Sequence, residues 1–136
     1  MLRQDYNNLK DKMKAFENKK LSYSQGYDCA AFVSEMLLLT TGKDHRDILK
    51  YRSYRQMLKF LKSEGCKTVE DLVTKILKVK PKPATYAKVG DVVSLTNDYN
   101  QCALGICMGK RAYFLGDNGY EKHSLINCDF CWSVNE

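Results

Sequence analysis

The sequence holds few of the residues and runs that usually give a function away. Among 136 residues there are two histidines, His45 and His123, two prolines, Pro81 and Pro83, and one tryptophan, Trp132. Two imidazoles cannot build a histidine-rich metal centre, and they leave only two candidates for a histidine base. Long hydrophobic runs are missing too. The longest, Ala30 to Leu39, is broken by Ser34 and Glu35 and reaches about half of what a bilayer crossing needs at roughly 1.5 Å per helical residue. No membrane span is therefore expected. The start, Met1 to Tyr6, is polar and lacks the apolar core of a secretory signal, so synthesis and folding in the cytoplasm are expected. There are no internal repeats or low-complexity tracts, which excludes solenoids and biased linkers.

What remains is an ordinary globular composition, 44% hydrophobic and 28% charged, far from the signature of disorder. The length fits a single domain, 1–136, that removes roughly two-thirds of its unfolded surface from water.

Cysteine is the one enriched reactive residue, at positions 29, 66, 102, 107, 128 and 131. Without a secretory signal these read as free thiols, and no disulfide is assigned. Cys128-x-x-Cys131 and Cys102-x4-Cys107 have the look of zinc half-sites. If both pairs lie on strands, however, residues three or five apart point to opposite faces and cannot share one ion. No metal and no cofactor are expected.

The net charge of +6 comes mainly from lysine. Lys10 to Lys20 and Lys59 to Lys82 alternate with apolar residues at helical spacing, as solvated helix faces do. No nucleic-acid recognition motif accompanies them, which argues against a nucleic-acid partner. Nine tyrosines suit a protein interface and half-buried packing equally well.

Periodicity divides the chain into a helical half, 1–80, and a β half, 90–136. Leu2, Tyr6, Leu9, Met13 and Phe16 form the stripe of a first helix. Asp28 is an N-cap for a second helix from Cys29, which carries one charge, Glu35, before Gly42 and so must be buried on most sides. Ser53 caps a third with the stripe Tyr54, Met57, Leu58 and Leu61, stopped by Gly65. Thr68 caps a fourth with Leu72, Val73, Ile76 and Leu77 inward. Lys80 to Lys88, with both prolines, reads as a connector. Strands are expected at Val92 to Thr96, Cys102 to Met108, Ala112 to Leu115, Tyr120 to Ser124 and Cys131 to Val134. Asp117-Asn118-Gly119 gives a hairpin, because Asn-Gly tolerates the positive φ of tight turns.

One position stands out chemically. A cysteine in the first turn of a helix lies near unsatisfied backbone N–H groups, which favour thiolate over thiol. Of the six cysteines only Cys29 has that setting; the competing reading is an inert buried thiol.

Gly26-Tyr27-Asp28-Cys29-Ala30-Ala31-Phe32-Val33 and Gly90-Asp91-Val92-Val93 resemble the nucleophile segment and the following strand of NlpC/P60 proteins. The full order more closely resembles the DUF6950 family. It runs through Gly-x-Asp-Cys, Thr41 to Asp44, the Tyr-Arg repeat Tyr51 to Arg55, Gly-Asp-Val-Val, the strand Ala103 to Ile106, the Asp-Asn-Gly hairpin and Cys128-x-x-x-Trp132. The resemblance covers nearly all of the chain from Phe16 onward. It implies an α+β, papain-like fold of the NlpC/P60 type: N-terminal helices and a buried central helix packed on a C-terminal antiparallel sheet.

The family's members are mostly phage-encoded, near tail-tip genes, so the resemblance also implies a place in the virion tail and tail or baseplate proteins as partners. Active NlpC/P60 hydrolases carry a histidine base on the strand after Gly-Asp-Val-Val; aligned on Gly105-Ile106, that position is Ala103 here. Alanine cannot take a proton. His45 falls at the far end of the central helix, leaving His123 as the one imidazole in the β half that could serve Cys29.

Two functions follow from different classes. One is a tail-tip or baseplate structural or adaptor protein with an inactive cysteine-peptidase-like fold. The other is a cysteine endopeptidase of peptidoglycan, with Cys29 as nucleophile and His123 or a partner's residue as base. A small host-directed inhibitor acting through the basic helices is a third and weaker reading.

Overall fold

The computed structural model describes residues 3–14, 32–33, 36–38, 54–96, 102–116 and 119–134. Helix α1 spans Arg3–Met13, and its Leu9 and Met13, one turn apart, are buried. Residues 32–33 and 36–38 are helical, with Phe32, Val33, Met36 and Leu37 all buried. That breadth of burial is what a helix covered on most sides requires.

Helix α2, Tyr54–Ser63, buries Met57 and Leu61 and packs Phe60 partly against the core. Leu58 was expected in this stripe but is 47% exposed. Four apolar residues crowd this turn, and the core takes the arc centred between Met57 and Phe60–Leu61, which leaves Leu58 on the far side. The helix ends in a Schellman arrangement. Cys66 N–H donates to the Leu61 carbonyl at 2.9 Å and Gly65 N–H to Lys62 at 3.1 Å, with Gly65 at φ 72°.

Helix α3, Val69–Leu77, is capped by Thr68, whose hydroxyl accepts the Asp71 N–H at 3.1 Å. The Asp71 carboxylate reaches back to accept from the Lys67 N–H at 3.2 Å. Leu72 and Val73 are buried, and Ile76 and Leu77 pack partly against the core. Ser53, Tyr51 and the segments 97–101 and 117–118 lie outside the described residues.

The connector after α3 proves to contain structure. Lys82–Pro83 forms strand β1, paired with the last strand, and Ala84–Tyr86 is a turn of 3-10 helix. Proline is tolerated here because β1 is an edge strand, where a missing N–H costs no ladder bond. The remaining strands are β2 Val92–Thr96, β3 Cys102–Cys107, β4 Arg111–Gly116, β5 Gly119–Ser124 and β6 Phe130–Trp132. A second 3-10 turn, Leu125–Asn127, precedes β6. All pairings are antiparallel and the order is β1-β6-β2-β3-β4-β5. Strands β4 and β5 stay paired out to Gly116↔Gly119, so the expected hairpin is present, with Gly119 the first residue of β5 rather than a residue of the connection.

Each face of the sheet carries a core. Val92, Leu104, Ile106, Leu115 and Trp132 pack with the helices. Val93, Cys107, Ala112, Phe114 and Cys131 form the other core with Ala84, and Leu125 and Cys128 pack against it. Alternation along the strands explains the split: neighbours Val92 and Val93, or Ile106 and Cys107, fall on opposite sides.

Asp91 binds the sheet to its surroundings. Its carboxylate, almost wholly buried, accepts from Lys88 N–H at 2.9 Å and from Val134 N–H at 3.3 Å. The Gly-Asp pair ahead of β2 is thus explained by backbone chemistry: Gly90 supplies φ 95° and Asp91 ties the turn to the C-terminal tail.

Candidate functional site

Strand β3 places Ala103 opposite Leu95 on β2, and both border the second core. Gly105 faces Phe114 across the β3–β4 ladder and Cys107 faces Ala112. On β5, His123 pairs with Ala112 and Glu121 with Phe114. Following the register, His123 shares a row with Cys107, whereas the row of Ala103 meets β5 near Gly119. The two positions are therefore separated by four residues along the strand and two strand spacings across it, about 16 Å between Cα atoms in a sheet of ordinary dimensions. His123 is no positional substitute for an imidazole at Ala103.

The surroundings of His123 are those of a half-buried surface residue. Its Nε2 lies 3.4 Å from a Glu121 carboxylate oxygen, and its ring meets Phe114 edge-on at 5.5 Å between centroids. The expected nucleophile Cys29, with Asp28, lies outside the described residues, and so does His45.

The described cysteines are of another kind. Cys107 and Cys131 are buried, with Cys66, Cys102 and Cys128 intermediate, and all five are free thiols. Burial pushes the Cys131 thiol up from the ordinary 9.0 to about 11, with nearby Asp91 and Cys107 adding to it. Cys128 is likewise raised to about 11, by burial first and then by Asp129 and Cys107. Cys107 is raised too, again by burial first. Each thiol is turned to a backbone carbonyl: Cys107 to Gly109 at 3.3 Å, Cys131 to Pro83 at 3.4 Å and Cys128 to Ser124 at 3.5 Å. These are protonated packing residues at neutral pH, the opposite of an activated nucleophile.

One expectation about these cysteines needs correcting. Cys102 and Cys107 do fall on opposite faces, but Cys128 and Cys131 side with the same core. Cys128 follows a 3-10 turn rather than lying on a strand, so the period-two rule does not apply to it. Even so, among the described residues no group of three or more Cys, His, Asp or Glu side chains could hold a metal ion. Nor is any described helix long and apolar enough to cross a membrane.

Sequence reasoning missed a polar link between helix and sheet. The wholly buried Ser94 on β2 donates to a Glu70 carboxylate oxygen on α3 at 3.0 Å, and Trp132 Nε1 donates to the Thr74 hydroxyl at 2.9 Å. Thr74 in turn donates to the Glu70 carbonyl at 3.1 Å. The signals were a serine inside an apolar strand and a lone indole, each of which must find a partner when buried.

The architecture is that of a known fold. The crystal structure of the NlpC/p60 domain of the peptidoglycan hydrolase SagA superposes with a TM-score of 0.54 at 15% identity, covering 94% of this chain and 97% of that one. At that identity the likeness establishes the fold alone. No curated protein sequence gives a significant match. The family model of DUF6950, a domain of unknown function, matches residues 2–134, and the chain belongs to that family.

Proposed function

We propose that this domain is a non-catalytic body built on the NlpC/P60 fold, acting as a structural or adaptor component of a phage tail tip or baseplate. The observation that carries the loss of catalysis is Ala103 on β3, where related hydrolases hold their histidine base. The histidine among the described residues, His123, sits about two strands and four residues away by ladder geometry. A cysteine without a base at hydrogen-bond distance transfers its proton too poorly to cleave amides.

The assignment to a tail rests on the family resemblance read from the sequence, with the protein made in the host cytoplasm and carried in the virion among other tail proteins. Incubating the full chain with purified muropeptides tests the catalytic half. No turnover is expected, with Cys29→Ser indistinguishable from the parent. Turnover that disappears in Cys29→Ser would overturn the proposal. Immunogold labelling of assembled particles tests the location.

The second reading, a cysteine endopeptidase of peptidoglycan peptides, is favoured by the similarity to a domain of a peptidoglycan hydrolase. In that reading Cys29 attacks the amide carbonyl and the helix terminus from Asp28 to Ala31 stabilises the oxyanion. The base would come from His123 or from a partner protein, and the same muropeptide assay decides between the two readings.

A further inference from the structure

The two edges of the sheet differ. At one, β1 is only Lys82–Pro83. The Ala84 N–H donates to the Asp129 carbonyl at 3.3 Å, one row beyond Pro83↔Phe130. Bonded and unbonded rows alternate in an antiparallel ladder, so the outward side of β1 falls to Pro83, which has no N–H to offer. At the other edge, β5 runs for six residues, Gly119–Ser124, without a proline. Among the described residues no strand pairs with its outer side.

The same alternation shows which groups of β5 face outward. Leu125 N–H donates to the Lys110 carbonyl at 3.3 Å, one row beyond Arg111↔Ser124. The rows Ala112↔His123, Phe114↔Glu121 and Gly116↔Gly119 are therefore bonded, whereas Tyr113↔Lys122 and Leu115↔Tyr120 are not. The β3 side agrees: Met108 N–H donates to the Arg111 carbonyl at 2.9 Å, which gives the odd-numbered residues of β4 to β3 and the even-numbered ones to β5. The N–H and C=O groups of Tyr120 and Lys122 thus point away from β4, spaced about 7 Å apart along the strand. The Ser124 carbonyl, next in that row, is already met by the Cys128 thiol at 3.5 Å.

The neighbouring side chains lean the other way. Lys122 Nζ lies 5.2 Å from the centroid of the Tyr113 ring on β4, and the His123 ring meets Phe114, also on β4. What the outer side presents is backbone, and the group that complements such a row is the backbone of another extended segment.

Charge narrows the kind of segment. Glu121 and Lys122 are exposed on opposite faces of β5. A two-fold pairing of β5 with a second copy that matches the outward groups is centred on one residue. Centred on Glu121 or Lys122 it sets like charges directly opposite each other, which is destabilising. Centred on Tyr120 or His123 it runs past an end of β5 within two residues. Lys122 therefore keeps copies apart, and a strand of different sequence is required.

We propose that the outer edge of β5, at Tyr120 to Lys122, receives an extended segment of another protein as an added strand, with an acidic residue opposite Lys122 and a basic one opposite Glu121. This goes beyond the adaptor reading and needs no chemistry at Cys29, so the muropeptide assay and the test below decide separately.

The probe is the peptide Thr-Val-Lys-Glu-Lys-Val-Thr, which presents this pattern in either direction, titrated into isotopically labelled full-length chain and followed by nuclear magnetic resonance. In the free chain the Tyr120 and Lys122 amides should exchange with solvent faster than those of Glu121 and His123, which bond to β4. The peptide should slow them and shift the β5 amides first. The same peptide N-methylated at its glutamate and valines should not bind. Lys122→Pro removes an outward N–H and no bond to β4, so it should fold and lose binding. The Glu121→Lys/Lys122→Glu pair should bind the peptide roughly tenfold more weakly and prefer Thr-Val-Glu-Lys-Glu-Val-Thr; this pair and the exchange rates decide even if Lys122→Pro does not fold.

The proposal is overturned by slow exchange of the Tyr120 and Lys122 amides in the free chain, by no binding of the peptide, by equal binding of the N-methylated peptide, by an unchanged preference in the charge-swapped pair, or by a dimer of the parent chain that Lys122→Pro dissociates.

Discussion

The ring of Phe114 on β4 occupies the space beside Gly105 on β3. A Cβ built at Gly105 would stand 2.7 Å from Cδ1 and 2.9 Å from Cε1 of that ring, and would also press on the Tyr113 carbonyl oxygen. The glycine of the Ala-Leu-Gly-Ile strand is thus explained by the close approach of the Tyr113 carbonyl oxygen and of the Phe114 ring across the ladder.

Gly105→Ala should therefore destabilise the domain by about 1–3 kcal/mol, the usual cost of overpacking, read as a lower urea midpoint at unchanged slope. Trimming the opposing ring should return part of the loss: Gly105→Ala/Phe114→Leu should be less destabilised than the sum of the single variants, because the two sites touch. Strict additivity would mean that the ring is not what excludes the methyl group.

Thr74 tests the link between α3 and the sheet. Its hydroxyl accepts from the buried indole of Trp132 at 2.9 Å. Thr74→Val keeps the shape and removes the acceptor, leaving an unsatisfied N–H at a cost of about 1–3 kcal/mol. Trp132 is the sole tryptophan, so its fluorescence reports both the changed environment and the unfolding curve. Thr74→Ser, which keeps the acceptor, should lose much less.

Alkaline pH probes the thiols of the second core. Cys128 and Cys131 have thiols raised to about 11, above the ordinary 9.0, because burial penalises the thiolate. A group that holds its proton more tightly when folded stabilises the fold fully below the unfolded value and loses that contribution as pH rises through the folded one. Stability should therefore fall between about pH 9 and 11 and be flat through neutrality on account of these groups. A disulfide reagent at pH 8 should label them at the rate of unfolding, and labelling should accelerate in urea. Fast labelling of Cys131 in the native state would contradict its burial.

The legible parts of this fold are those fixed by local chemistry. Thr68 caps α3 because a hydroxyl three residues before a free N–H does so anywhere, and β2 begins after Gly90-Asp91 because that pair makes the turn. What the sequence hid is set by distant partners. Lys82–Pro83 becomes a strand only because β6 returns beside it, and Leu58 lost its place in the core to Phe60 once the helix settled against the sheet. Of the candidate site, the strand motif gives only the expectation that Ala103 stands where the resemblance to NlpC/P60 hydrolases places a histidine. That His123 stands in a different row was not legible there, since register is a property of the assembled ladder.

Two substitutions in opposite senses test the proposal that Cys29 lacks a base. His123 lies two strands from the position of Ala103 and is engaged by Glu121 and Phe114, so His123→Ala should leave the alkylation rate of Cys29 at pH 7 unchanged. It should cost no more than about 1 kcal/mol of stability, as expected of a half-exposed residue. Ala103→His places an imidazole at the strand position where the resemblance to NlpC/P60 hydrolases expects one. It should speed Cys29 alkylation and shift its pH dependence toward neutrality, where a paired thiolate forms. Mass spectrometry of iodoacetamide-treated protein, with Cys29→Ser as blank, reads both. If His123→Ala slows the reaction severalfold while folding is intact, His123 activates the Cys29 thiol and the non-catalytic reading loses its basis; if only Ala103→His speeds it, the thiol of the parent chain has no imidazole partner.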